Sequence, residues 1–535
     1  MISHPRGPPP RPPPLTRPKK VSVACAECRK RKTKCVGGVP CAICRRHNVD
    51  CVLDEDTDRR RKGTLERRLE ALEQDQSLLR HLLGTIHDDD PTRFDRILEF
   101  IRTDASLDQV RLFITNTCSQ PADGEQIRLF DHPVYLVPAQ PWTSLTEDDD
   151  YVSRLISLYF TWNHPTQIWI DRDLFIQDMQ SGDPNALFCS PLLVNALLAV
   201  ACCYLDVPDP VAVAGAPPGR LRFFSEAKGL LGKEEGKLSL PSYQACCALY
   251  LSASVLGKCM LAWQYLVDIA RYARELMEKH NMLVARAGER VSEMARGLDT
   301  AILGSFSLLP VAVPSFHQPS KMKKPACGFP PQEHDLEDTW HSYPIKGSST
   351  PAHANCLAEA SFGLQLIVWD ISNNSFGRGQ GHETSGHDYY DRLKQWASQL
   401  PECVKFKDTK TPATLDLQMR YYSAVISAFE FSEDTNAPDV RIFSAHTICS
   451  LLGEFMARWP ATYTPVNYIR YISVVLSTLL PHLGKEENKS LFISCFFTLH
   501  SMEKRLPMAA KVLQHIRDKA RQLHIGLPRQ VISLG

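Results

Sequence analysis

The chain has 535 residues, of which 44% are hydrophobic and 23% charged, an ordinary soluble balance with length for two to four domains and a sizeable core. Its net charge of +1 hides a division: residues 1–62 hold 16 Lys/Arg against 6 Asp/Glu, a net of +10, and the remainder stands at −9. A basic head on a mildly acidic body directs any polyanion partner to the head and excludes a chain that binds polyanions along its whole length.

The opening stretch, MISHPRGPPPRPPPLTRPKK, has no apolar segment of a secretory signal, and its prolines favour an extended, unpacked chain. Residues 1–20 are therefore expected to be a disordered Pro-rich tail. The longest apolar run, Leu192–Leu205, has 14 residues and falls short of a membrane span. The expectation is an intracellular, reducing setting with no membrane partner. There, cysteines serve as metal ligands more readily than as disulfides.

Residues 21–53 concentrate six of the chain's 18 cysteines: Cys25, Cys28, Cys35, Cys41, Cys44 and Cys51. The spacing is C-x2-C-x6-C-x5-C-x2-C-x6-C, an approximate duplication. A C-x2-C pair can grip one tetrahedral metal, and an all-thiolate tetrahedral site favours zinc. One zinc takes four ligands and strands two thiols; two zinc ions share six thiolates only if two of them bridge. The segment has few large apolar residues, so metal has to replace a hydrophobic core. Between Cys28 and Cys35 lies RKRKTK, five cations in six residues, read as a short helix able to enter a DNA major groove, where Arg and Lys donate to guanine O6 and N7.

This segment resembles the fungal zinc binuclear cluster (Zn2Cys6) transcription factors, on ACAECRKRKTKC and on Pro40 just before the fourth cysteine. The resemblance implies two Zn²⁺, with Cys25 and Cys41 bridging, Cys28 and Cys35 completing one site, and Cys44 and Cys51 the other. It also implies base contacts from Arg31 and Lys32, three and four residues after the second cysteine, and CGG-type half-sites. Arg29, Lys30, Lys34, Arg45, Arg46, Lys19 and Lys20 are the candidates for phosphate contacts, which add affinity and salt dependence without sequence information.

One such module reads about three base pairs, too few to select a genomic site. Residues 54–63 form a basic linker whose RRRK (Arg59–Lys62) is a candidate nuclear-import patch. Across 64–87, Leu65, Leu69, Leu72, Gln76, Leu79, Leu83 and Ile86 recur at alternating steps of four and three. That is the seam of a short coiled coil, with Thr64 as its N-cap and Gln76 the one polar seam position. The expectation is a homodimer on double-stranded DNA.

Residues 88–140 read as a helical spacer, and 141–535 as a large all-α regulatory domain with a flexible loop near 372–388. Thr146 before three acids marks a helix start, which is preferred over an acidic activation patch for Glu147–Asp150. LISLYFTWNHP, CSPLLVNALLAVAC and WQYLVDIARYA resemble the fungal-specific transcription factor domain (middle homology region), nearest to the nitrate-assimilation type. Where such proteins usually carry a Trp-Gly-Leu-Phe-like element, this chain has ILGSF (Ile302–Phe306).

No catalytic set emerges. His382, Glu383 and His387 are spaced one residue too far apart for a zinc-protease helix. Cys202, Cys203, Cys246 and Cys247 sit in apolar helical runs and read as packed thiols. The expected protein is mostly α and not an enzyme. It is a nuclear transcription factor, an activator on family grounds, that recruits transcription machinery or coregulators and controls a local pathway such as a secondary-metabolite gene cluster. The alternatives are control of nitrogen or carbon utilisation, or a zinc-stabilised module that binds RNA or protein.

Overall fold

The computed structural model describes residues 25–35, 40–49, 51, 132–205, 219–234, 239–308, 338–345, 349–376, 385–406, 411–430 and 436–533. Lys19, Lys20, the 54–63 linker, the whole predicted coiled-coil seam and residues 88–131 of the spacer lie outside them. The chain divides into two units, a head up to His87 and a body from Asp88 onward.

In the head, two short helices follow the two C-x2-C pairs: α1 (Ala26–Lys30) and α2 (Ala42–His47). In the body, α3 (Asp149–Leu158) starts two residues later than Thr146 suggests. The cap is Asp148, whose carboxylate accepts the Tyr151 N–H at 3.0 Å, while Thr146 Oγ1 accepts the Asp148 N–H in the turn before it. Asp149 accepts the Ala139 N–H and Asp150 pairs with Arg154, so these acids build the helix start.

The first half continues with α4 (Arg172–Ser181), α5 (Pro191–Ala201), α6 (Gly219–Lys233), α7 (Leu240–Val255), α8 (Cys259–Arg286) and α9 (Val291–Ser305). Ser190 and Ser239 cap α5 and α7, each with proline in the first turn where a missing N–H costs nothing. Both helices are apolar nearly all round and are accordingly central. α5 packs on α3, α6 and α7, and α7 on α8. Cys203, Cys246 and Cys247 are buried in this core as packed thiols.

ILGSF has a steric reason. At Gly304, on α9, a Cβ would lie 1.8 Å from the carbonyl oxygen of Ile168 and 2.8 Å from Trp169 Cα. The helix crosses bare backbone at that point, which only glycine permits. Gly304→Ala is expected to cost about 3 kcal/mol or more of body stability. A fall in the thermal midpoint of the body, with zinc content unchanged, is the measurement.

A two-residue antiparallel pair, β1 (Thr339–Trp340) and β2 (Thr350–Pro351), precedes the second half. That half comprises α10 (Ala354–Phe376), α11 (Gly386–Ser398), α12 (Pro412–Ala428), α13 (Ala437–Arg458), α14 (Tyr468–Leu479), α15 (Glu486–Ser501), α16 (Met508–Gln522) and α17 (Arg529–Ile532). The predicted loop at 372–388 is helical at both described ends: α10 runs through Phe376, and Ser385 with Asp388 forms a capping box for α11. His387 lies in α11 with its ring edge-on to Phe429, while His382 and Glu383 lie outside the described residues. No helix among the described residues is long and apolar enough to cross a membrane.

The halves meet along a polar and aromatic seam. Trp162 is fully buried, stacks on Tyr463 at 4.8 Å and meets Trp340 edge-on at 5.6 Å. Arg505 donates to the carbonyls of Cys203 and Thr464, and Arg420 to that of Thr166. Such bonds satisfy backbone groups that helix ends leave open.

Candidate metal centre and nucleic-acid interface

Each half of the head repeats the other at an offset of 16 residues. In the first half the Cys28 N–H donates to Cys25 Sγ at 3.5 Å; in the second the Cys44 N–H donates to Cys41 Sγ at 3.4 Å. Both helices then end in a left-handed turn. Lys32 has φ 51° and the Thr33 N–H reaches the Cys28 carbonyl at 3.0 Å; Asn48 has φ 49° and the Val49 N–H reaches the Cys44 carbonyl at 3.1 Å. This is the Schellman way of closing a helix, and it turns the chain back so that Cys35 and Cys51 face the first two thiols of their halves.

The six predicted cysteines converge. Cys25, Cys28, Cys35 and Cys41 form one group whose sulfur atoms all lie within 4.8 Å of one another, and Cys25, Cys41, Cys44 and Cys51 form a second. The two groups share Cys25 and Cys41. Individual separations are 3.9 Å for Cys25–Cys41 and 3.5 Å for both Cys25–Cys44 and Cys28–Cys41. These are far beyond a disulfide bond of about 2.05 Å. They fit the edge of a zinc–sulfur tetrahedron, about 3.8 Å for Zn–S near 2.3 Å. Around the thiols the packed apolar side chains are Ile43 and Val49 alone among the described residues, too little for a core without metal.

The backbone donors favour thiolate, the form that binds metal. The Cys44 N–H pulls the Cys41 thiol down to about 6, and the Cys28 N–H lowers Cys25 in the same way. Both lowered thiols belong to the shared pair.

The expected reading helix is shorter than RKRKTK suggests. α1 ends at Lys30, so Arg31 and Lys32 sit in the turn that closes it, and Lys32 takes the left-handed conformation itself. The physical reason is the third cysteine: the chain has to reverse within two residues of the helix end to bring Cys35 back. Lys30, Arg31, Lys32 and Lys34 are all exposed, as are Arg45 and Arg46; of Arg29 only the backbone is described. The halves differ where it matters. Arg29 and Lys30 correspond to Arg45 and Arg46, but Arg31 and Lys32 correspond to His47 and Asn48. Only the first half presents two strong cations at its turn.

Two partners escaped the sequence reading. Arg31 Nε donates to Glu27 at 3.1 Å, one helical turn back, and Arg45 donates to the Pro40 carbonyl at 3.2 Å, tying α2 to the turn between the halves. The i, i+4 spacing of Glu27 and Arg31 was the available signal.

The comparisons with known proteins agree with this geometry. A family model described as the fungal Zn(2)-Cys(6) binuclear cluster domain matches residues 23–60. The chain is 31% identical to the notoamide biosynthesis transcriptional activator notL' of Aspergillus versicolor, over 95% of this chain and 91% of that protein. It is 23% identical to the nitrogen assimilation transcription factor nit-4 of Neurospora crassa, over 95% of this chain and 55% of that one. It is 26% identical to the nitrogen assimilation transcription factor nirA of Emericella nidulans, over 47% of this chain and 35% of that one. The chain thus spans about half or less of the two nitrogen regulators. No solved structure matches. Similarity across nine tenths of both chains, with a two-zinc thiolate site at its head, leads to one assignment: the chain belongs to the fungal Zn2Cys6 binuclear cluster family of DNA-binding transcription factors.

Proposed function

We propose that this protein is a nuclear, homodimeric activator of a local secondary-metabolite gene set, reading a CGG-type triplet with each head. Arg31 and Lys32 take the base contacts; Lys19, Lys20, Arg29, Lys30, Lys34, Arg45 and Arg46 meet phosphates; and the 64–87 seam pairs two chains so that the site doubles. Cys25 and Cys41 bridge the two zinc ions, Cys28 and Cys35 complete one, and Cys44 and Cys51 the other. The single observation that carries the reading is the shared pair of thiols in two overlapping tetrads beside an exposed cationic turn. The body, residues 141–535, receives regulatory input or engages coregulators and does no chemistry of its own.

The pathway is supported by the relative matched over nine tenths of its length, whose name is that of a biosynthesis activator. The second reading, control of nitrogen use, draws on the two nitrogen regulators, which the chain matches over about half or less of their length. Genomic occupancy together with transcript changes after deletion separates the two. Occupancy beside biosynthetic genes supports the first, and occupancy beside nitrogen-assimilation genes replaces it with the second.

Arg31→Ala/Lys32→Ala in the full chain tests the base contacts. Specific binding to a CGG-containing duplex should fall about 10- to 1,000-fold, at about 1–3 kcal/mol per lost base contact, while binding to unrelated duplex falls far less. Fluorescence anisotropy at fixed salt measures both. An equal loss on the two duplexes indicates a polyanion-binding module in place of a sequence reader.

A further inference from the structure

In the body, a cavity of about 320 Å³ lies between α7 and α8 of the first half and α14 and α16 of the second. Its walls are mainly apolar, with Trp263, Leu266, Ile469 and Val512 among them. A volume of that size, apolar with a few polar groups, is the usual form of a small-molecule site.

The polar group that matters is Arg470. Its Nε and Nη2 are buried and make no hydrogen bond to any described residue. Those two nitrogens form one edge of the guanidinium with parallel N–H bonds, the edge that a carboxylate grips with both oxygens. The local charge does not balance. Asp416 is the neighbouring acid, and it is already committed to Arg420 at 2.8 Å, to the Tyr471 hydroxyl and to Asn467. Two arginines therefore share one carboxylate. Burial, joined by repulsion from Arg420, pulls the Arg470 pKa below its ordinary value. Across the cavity, Gln167 Oε1 is a second buried atom without a partner. At the rim stand Lys511 and His515, both exposed, and no acid lines the cavity.

An unpaired buried charge weakens a fold, so keeping one needs a compensating use. We propose that this cavity is an effector site for a small apolar carboxylic acid, whose carboxylate pairs with Nε and Nη2 of Arg470 while its apolar body fills the space between α8 and α14. The basic rim attracts anions, and the missing negative charge arrives with the ligand. Because its walls come from both halves, an occupied cavity holds α7 and α8 against α14 and α16. Regulatory input thus reaches the helical packing of the body.

The probe is octanoate, with octanol as its uncharged counterpart, titrated into the purified full-length chain by calorimetry and thermal unfolding. Octanoate is expected to bind at least tenfold more tightly than octanol and to raise the body's unfolding midpoint by several degrees at saturation. Arg470→Met is expected to raise the midpoint of the free protein. It should also remove the preference for octanoate, a loss of about 10- to 100-fold, while octanol binding stays as it was. Ser254→Trp, which fills the cavity with Arg470 intact, should abolish binding of both. The proposal is overturned if octanoate and octanol bind alike, if octanoate fails to bind, or if Ser254→Trp leaves binding intact. It falls equally if Arg470→Met destabilises the free protein or fails to fold, since the arginine is then a structural group.

Discussion

Replacing Cys41 by serine is expected to strip both zinc ions from the head and to lower affinity for specific DNA by at least about 10³-fold, to the level of non-specific binding. Cys41 belongs to both thiol tetrads, its N–H donates to Cys51 Sγ at 3.3 Å, and its own sulfur receives the Cys44 N–H. A serine hydroxyl is not ionised at neutral pH and cannot bridge two metals. The head has almost no apolar core to fall back on, and structural zinc contributes about 10–16 kcal/mol in comparably small domains. Cys51→Ser removes a ligand of one tetrad only and should weaken one site more than the other. Native mass spectrometry of the full chain reads both results as zinc per protein. A Cys41→Ser protein that keeps two zinc ions and normal DNA affinity counts against the bridging assignment. The body, which has its own core, should melt at an unchanged temperature in both variants.

How much of this was legible in the sequence depends on the range of the forces involved. The six cysteines were legible because metal geometry acts over a few residues and writes its spacing into the chain. The helix starts at Ser190, Ser239 and Thr411 were legible for a similar reason, since each cap and its following proline act within one turn. The left-handed turn at Lys32 was not, because lysine carries no preference for that conformation. The return of Cys35 to the metal imposes it. Asn48, the matching residue, is a common left-handed cap and was the available hint. Gly304 was visible only as a departure from a family element; its cause is the backbone of Ile168, which sequence distance hides. Arg470 was hidden altogether. On a helix pattern it is one more polar residue, and its missing partner emerges only when α7, α8, α14 and α16 close around it. Long-range packing decides what such a residue faces, and local periodicity carries no record of that.

The same limit applies to Asp416, where a second large effect is expected. Asp416 and Arg420 lie one turn apart on α12 and are 2% and 5% exposed, so their ion pair is fully internal. The carboxylate also receives the Tyr471 hydroxyl at 2.8 Å and the Asn467 side chain, while Arg420 Nη2 donates to the Thr166 carbonyl at 2.8 Å. Through those bonds α12 is fastened to α14 and to the first half of the body. Arg420 Nη1 has no partner among the described residues, so the arginine has no reserve when its acid is removed. Asp416→Ala then leaves two buried guanidinium groups, Arg420 and Arg470, and no carboxylate between them. The expected cost is about 3–5 kcal/mol, comparable to the whole stability of a modest domain. Denaturant unfolding of the full chain, followed by tryptophan fluorescence, measures it, since Trp162, Trp340 and Trp459 meet at the same seam. The double variant Asp416→Ala/Arg420→Met distinguishes a lost charge partner from lost packing. With both charges gone the penalty for an uncompensated ion disappears, and most of the loss should return. If the double variant is as unstable as the single one, the pair acts through shape and its hydrogen bonds. If the single variant costs under about 1 kcal/mol, a figure usual for exposed pairs, water reaches the seam and the pair is not internal in solution.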